Sequence, residues 1–179
     1  MDTRRALHRK GGNAEVIPLP LAAPPGVATA DVLASDLGCF PTTDQYIDLN
    51  RSVKDESFET CVDLCAVDYL EHLDRPLPRG VSGTRFEIVV NLLRPSKMQR
   101  VRLCVQAGND EPHDDSLFTL YPGTEAMERE AFDLYGVLLF DHPDMTRILM
   151  PEVWDGHPLR RNYAVGKIPV QLEGSAGLR

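Results

Sequence analysis

The chain has 179 residues, of which 42% are hydrophobic and 26% charged, with a formal net charge of −8. That length suffices for one domain with a real core, or for a small domain with a long arm, and the balance is that of a soluble globular protein. The acidic charge argues against nucleic acid, whose binding needs concentrated Lys and Arg. No apolar run approaches the ~20 residues of a spanning helix, so any membrane association is expected to run through partners.

Residues 1 to 28 are rich in Pro, Gly and Ala and are expected to form a flexible tail. Arg4, Arg5, Arg9 and Lys10 precede no apolar core, which is not the pattern of a secretory signal. Thr29 sits in an N-cap position before Asp31, Val32, Leu33 and Leu37, predicting a short helix that ends at the Gly38-Cys39-Phe40-Pro41 break. Tyr46, Ile47 and Leu49 suggest a short extended piece. Glu56 to Leu64 reads as helical, with Phe58, Cys61, Val62 and Cys65 on one side, and Ala66 to Leu70 as a strand.

From Thr84 the period becomes that of a sheet. Phe86, Ile88 and Val90 alternate with Glu87, Val89 and Asn91; Val101, Leu103 and Val105 alternate with Arg102, Cys104 and Gln106. Pro95-Ser96-Lys97 supplies the turn of an antiparallel hairpin. A two-stranded ribbon is marginal alone, so the strand at 66–70 and flanking helices must cover it, which predicts an α+β layer built on a small, mainly antiparallel sheet.

The stretch from Asn109 to Asp133 is acidic. Within it Met127, Ala131 and Leu134, continued by Leu138, fall at helical spacing and predict a helix ending near Gly136. Glu125, Glu128 and Glu130 crowd its first turns, where negative charge complements the free amides. Arg129 stands four residues before Asp133, in reach of a side-chain pair. The steps His142-Pro143 and His157-Pro158 then force extended backbone, as expected of chain laid along something else. Arg147, Arg160, Arg161 and Lys167 make this arm locally basic.

The run Glu128-Arg129-Glu130-Ala131-Phe132-Asp133-Leu134-Tyr135-Gly136, followed by His142-Pro143-Asp144, Arg147-Ile148-Leu149 and Gly156-His157-Pro158-Leu159-Arg160, resembles a known signature. It is that of the peripheral-arm subunit without redox groups in NADH:quinone oxidoreductase, respiratory complex I. Asp63 to Tyr69 and Arg85 to Val89 extend the likeness more weakly upstream. The resemblance implies a non-redox structural and assembly subunit, without flavin, iron–sulfur cluster or quinone ligand of its own, those groups being held by partner subunits. It implies docking in the peripheral arm, chiefly beside the quinone-site subunit and neighbouring iron–sulfur subunits, on the cytoplasmic side of a bacterial plasma membrane. An equivalent subunit of an F420H₂ dehydrogenase or a membrane-bound hydrogenase is the alternative within the same superfamily.

The residues themselves frame no catalytic centre. There is no phosphate-cradling glycine fingerprint and no nucleophile elbow. Cys39, Cys61, Cys65 and Cys104 lack disulfide or cluster spacing and read as buried thiols. A zinc enzyme built on His142, Asp144 and His157 is the competing reading from a different class, against which stands the spacing of two histidines fifteen residues apart, each before a proline. The favoured expectation is that His142, His157, Arg147, Arg160 and Arg161 hydrogen-bond carbonyls and carboxylates in a buried interface, with Trp154 as an apolar anchor. The expected organisation is thus a tail over 1–28, an α+β domain over 29–140 and an extended arm over 141–179 that contacts partner subunits. The interface residues are Glu128, Arg129, Glu130, Asp133, His142, Pro143, Asp144, Arg147, Trp154, Gly156, His157, Pro158, Arg160 and Arg161.

Overall fold

A computed structural model describes residues 25–33 and 36–164. Most of the expected N-terminal tail and the chain after Ala164 lie outside the described residues.

The fold is α+β, as the sequence predicts. Its main sheet has five strands in the order β1-β2-β5-β4-β3, formed by β1 (Ala28–Leu33), β2 (Asp36–Phe40), β3 (Thr60–Asp68), β4 (Phe86–Arg94) and β5 (Gln99–Gly108). All neighbours are antiparallel except β2 and β5, which run parallel. Helix α1 (Thr43–Asp55) packs against β5, and α2 (Glu125–Tyr135) against β3. A second, two-stranded sheet pairs β6 (His113–Asp115) in parallel with β7 (Leu138–Phe140).

The hairpin is where the sequence places it. Phe86, Ile88, Val90 and Leu92 on β4 and Val101, Leu103, Val105 and Ala107 on β5 are buried on the helix side, the alternation of a sheet with one apolar face. Pro95 opens the turn and Met98 closes it in the left-handed region at φ 51°.

Three local expectations are corrected. Residues 28–33 form a strand paired with β2, not a helix: Thr29 has the residue type of a cap, but this segment's backbone groups go to the sheet. Residues 43–55 form a helix, not an extended piece. The signal is Thr42-x-x-Gln45, whose Gln45 side chain accepts the Thr42 amide at 3.1 Å, followed by buried Tyr46, Leu49, Asn50 and Val53 at i, i+3, i+4 and i+7. Residues 60–68 form one long strand in place of the expected helix and shorter strand. Its register shifts between Cys61 and Asp63, and that bulge breaks the alternation so that the apolar spacing imitates a helix.

Candidate functional site

Helix α2 ends where a glycine can turn the chain. Gly136 takes φ 73°, and the Gly136 and Val137 amides donate back to the Phe132 and Ala131 carbonyls, closing the last turn. A helix end still leaves carbonyls without partners. In this protein the arm that follows β7 returns to meet them.

His157 Nδ1 lies 3.0 Å from the Asp133 carbonyl oxygen and Arg147 Nη1 lies 3.1 Å from it. The Leu159 amide donates to the Leu134 carbonyl at 3.0 Å, and Arg160 Nε donates to the Tyr135 carbonyl at 2.6 Å. Arg160 also stands over the Phe86 ring, 5.0 Å from its centroid. Two guanidinium groups at the negative end of a helix dipole add a favourable charge interaction, roughly 0.3–1 kcal/mol each. The approach is close enough that a Cβ on Gly136 would lie 2.5 Å from both Arg160 Nη2 and His157 Nε2.

The Asp133 side chain performs a second task. It is fully buried; Oδ1 accepts Arg147 Nη1 at 2.7 Å, while Oδ2 accepts the amides of Ile148 (3.1 Å), Leu149 (2.7 Å) and Met150 (2.8 Å). Three successive amides converging on one oxygen form a nest for an anion. Burial pushes this carboxyl's pKa up, but the amides and the Arg147 guanidinium outweigh burial and hold it below the usual range. The second fork of Arg147 donates to the Trp154 and Gly156 carbonyls at 3.1 and 3.0 Å, so the loop from 147 to 156 closes on its own arginine.

The arm is fixed at two further places. Towards the start of α2, His142 Nε2 lies 3.2 Å from the Glu125 carbonyl, and Arg129 donates to the Thr146 and Arg147 carbonyls. Arg129 pairs backwards with Glu125 at 3.1 Å, not with Asp133 as its spacing suggests, because Asp133 is turned inward and already filled. At the edge strand β3, Asp68 accepts Arg85 Nη2 at 2.7 Å and the Arg161 amide at 2.9 Å, and Arg85 reaches on to Asn162 at 2.7 Å. Burial raises the Asp68 pKa, and the hydrogen bonds from Arg85, Arg161 and Leu70 bring it below the usual value.

The signature residues therefore divide by what they touch. Asp133, Arg147, His157 and Arg160 join the arm to the end of α2, Arg129 and His142 join it near the start, and Gly156 supplies a carbonyl and a left-handed turn at φ 84°. The carbonyls and carboxylates expected opposite these side chains lie within this chain. Glu128 is fully buried against the segment that leads into α2, accepting Ser116 Oγ at 2.5 Å, the Leu117 amide at 2.8 Å and Thr124 Oγ1 at 2.8 Å. Glu130, Pro143, Asp144 and Arg161 are exposed, while Trp154 and Pro158 are half-buried. Sequence reasoning misses Asp68, Arg85, Ser116 and Asn162. Asp68 and Arg85 are seventeen residues apart and meet only through strand pairing, which no local pattern announces.

His142 and His157 cannot share a metal ion. They dock on the carbonyls of Glu125 and Asp133, eight residues apart on one helix, a separation of ~12 Å along the axis. Among the described residues no group of three or more His, Cys, Asp and Glu is placed to hold a metal, and no helix is long and apolar enough to cross a membrane.

Residues 41–168 match the family described as the respiratory-chain NADH dehydrogenase 30 Kd subunit, a span that takes in α1, the sheet from β3 to β5, α2 and the arm. The chain is 36% identical over 135 residues to an NADH-quinone oxidoreductase subunit of Saccharopolyspora erythraea, covering 74% of this chain and 51% of that one. It is 36% identical over 153 residues to the subunit of the same name in a Roseiflexus species, covering 83% and 81% respectively. It spans about half the length of most of the curated relatives it matches. Among solved structures, the trypsin-resistant fragment of Nqo5 superposes with a TM-score of 0.57 at 23% identity, over 66% of this chain and 89% of that one. A chain of an archaeal membrane-bound sulfane sulfur reductase superposes with a TM-score of 0.61 at 20% identity, over 79% of each. Both structural likenesses establish the fold.

Proposed function

The chain belongs to the respiratory-chain NADH dehydrogenase 30 Kd subunit family, and from that premise we propose that it is the 30 Kd-type subunit of a proton-translocating NADH:quinone oxidoreductase, with a structural and assembly role. The observation that carries the reading is the match to the Roseiflexus protein, which runs through most of both chains, beside a family match that spans both domain and arm. The chain docks in the peripheral arm of the assembly, beside the quinone-site subunit and the iron–sulfur subunits next to it, on the cytoplasmic side of a bacterial plasma membrane. Flavin and iron–sulfur clusters reside in those partners. The residues that would otherwise be candidates for chemistry are committed to structural hydrogen bonds: Asp133, His142 and His157 join the arm to α2, and Glu128 holds the segment that leads into that helix.

The test is genetic and biochemical. Membranes from cells lacking this chain lose NADH-dependent quinone reduction and regain it when the wild-type chain is supplied. Membranes that keep full NADH:quinone activity without the chain, while respiring through no second NADH:quinone enzyme, would remove the proposal.

A further inference from the structure

The Asp133 nest has a geometric consequence on its outer side. Because the amides of Ile148, Leu149 and Met150 all turn inward to one carboxylate oxygen, the side chains of the same turn radiate outward. Ile148 is 39% exposed, Leu149 59% and Val153 94%. Three branched apolar side chains thus stand in solvent on backbone held at both ends, by Asp133 and by the Arg147 fork to Trp154 and Gly156. Isolated exposed apolar residues are ordinary, but three within six residues of one hydrogen-bonded loop mark a contact surface.

The charges around the cluster say what it fits. Asp141, Asp144, Glu152 and Asp155 are all exposed, and the only Lys or Arg between 141 and 159 is Arg147, whose guanidinium is turned inward to Asp133. The exposed charges of this segment are therefore acidic, and the one guanidinium at its base, that of Arg129, is engaged by Glu125 and by the Thr146 and Arg147 carbonyls. We propose that the loop 147–156 is a preorganised docking knob that inserts Ile148, Leu149 and Val153 into an apolar groove of a partner protein rimmed by Lys or Arg. Holding the loop in its bound shape removes the ordering cost that a free arm would meet on binding, and the acidic rim steers the approach and rejects acidic surfaces. The inference rests on the proposed function for the existence of a partner in the native membrane.

A photo-crosslinking amino acid placed at Val153 in the full chain, expressed in its own cells, tests this. Met98, 77% exposed at the tip of the β4–β5 hairpin, away from the end the arm touches, serves as the control position. The expected result is an adduct from Val153 to one defined protein, mapped to a segment rich in apolar residues and Lys or Arg, with yield about tenfold above Met98. Leu149→Asp combined with Val153→Asp should lower recovery of the chain in its assembly about tenfold, as expected when a charge enters an apolar contact, and leave its folding unchanged by circular dichroism. A complex with NADH:quinone activity in which Val153 gives no adduct overturns the knob and leaves the proposed function intact. A specific adduct to a protein of some other assembly retains the knob and overturns the proposed function. Adducts to many proteins in proportion to abundance, or full recovery of the double variant, overturn the knob.

Discussion

Asp133 Oδ1 and Arg147 Nη1 meet at 2.7 Å with the carboxylate fully buried, and through this contact the arm and the last turn of α2 become one structure. Breaking a buried pair from one side leaves the other charge uncompensated, which costs about 3–5 kcal/mol. Asp133→Ala should destabilise the chain by that order in urea titrations. Amide exchange at Ile148, Leu149 and Met150 should accelerate more than at Val90 or Leu103 in the sheet.

Gly136 is fixed by two constraints that a control separates. At Gly80, φ is 91° and a Cβ would meet nothing within 4 Å, so Gly80→Ala carries the backbone strain alone, roughly 1–2 kcal/mol. At Gly136 the Cβ would also strike Arg160 and His157, adding about 1–3 kcal/mol of overpacking. Thermal unfolding of the two variants should show Gly136→Ala as clearly the worse; equal losses would mean that the arm yields freely.

Glu128 and Glu130 are two residues apart and should answer differently. Glu128→Gln replaces one accepting oxygen by an amide donor, facing either Ser116 or the Leu117 amide with Thr124, costing about 1–3 kcal/mol. Glu130 is exposed, and Glu130→Gln should stay within about 0.5 kcal/mol. Chemical denaturation of both variants checks the pair.

Asp114 gives the fold an unusual pH dependence. It is 4% exposed, Oδ2 has no hydrogen-bond partner, and burial lifts its pKa from 3.8 to about 7, with the Asp115 charge adding to the rise. His113 and the Asp115 amide act the other way, while Asp44 on α1 adds to the rise. A group whose folded pKa is raised contributes stability below its unfolded value and loses it as pH rises through the folded one. Its effect therefore falls away between about pH 4 and 7. Asp114→Asn removes this dependence. Relative to wild type it should gain about 2–3 kcal/mol between pH 5 and pH 8, at about 1.4 kcal/mol per tenfold change in proton affinity. Asp68 and Asp133, whose pKa values are lowered, act in the opposite sense, and their stabilisation is lost only as pH falls below about 4.

The β4–β5 hairpin is legible in the sequence because both strands alternate without interruption and the turn carries Pro95. Helix α2 is legible up to Gly136; Leu138, which continues the stripe by spacing, stands exposed on β7 because the glycine has already turned the chain. β3 is hidden by its bulge at Cys61 and Asp63, and α1 because Tyr46 and Ile47 imitate an extended piece unless the cap at Thr42 is weighed first. The residue types of the arm announce that it binds carbonyls and carboxylates. That their partners are the end of α2 and Asp68 is not legible, since both contacts depend on the arm reversing direction after β7.

The measurement that bears most directly on the account is the mass and composition of the particle holding this chain when it is purified gently from native membranes. A many-subunit particle with flavin, iron–sulfur clusters and NADH:quinone activity is the predicted result. A soluble monomer carrying a metal ion, or a particle that reduces its acceptor from a donor other than NADH, would contradict it.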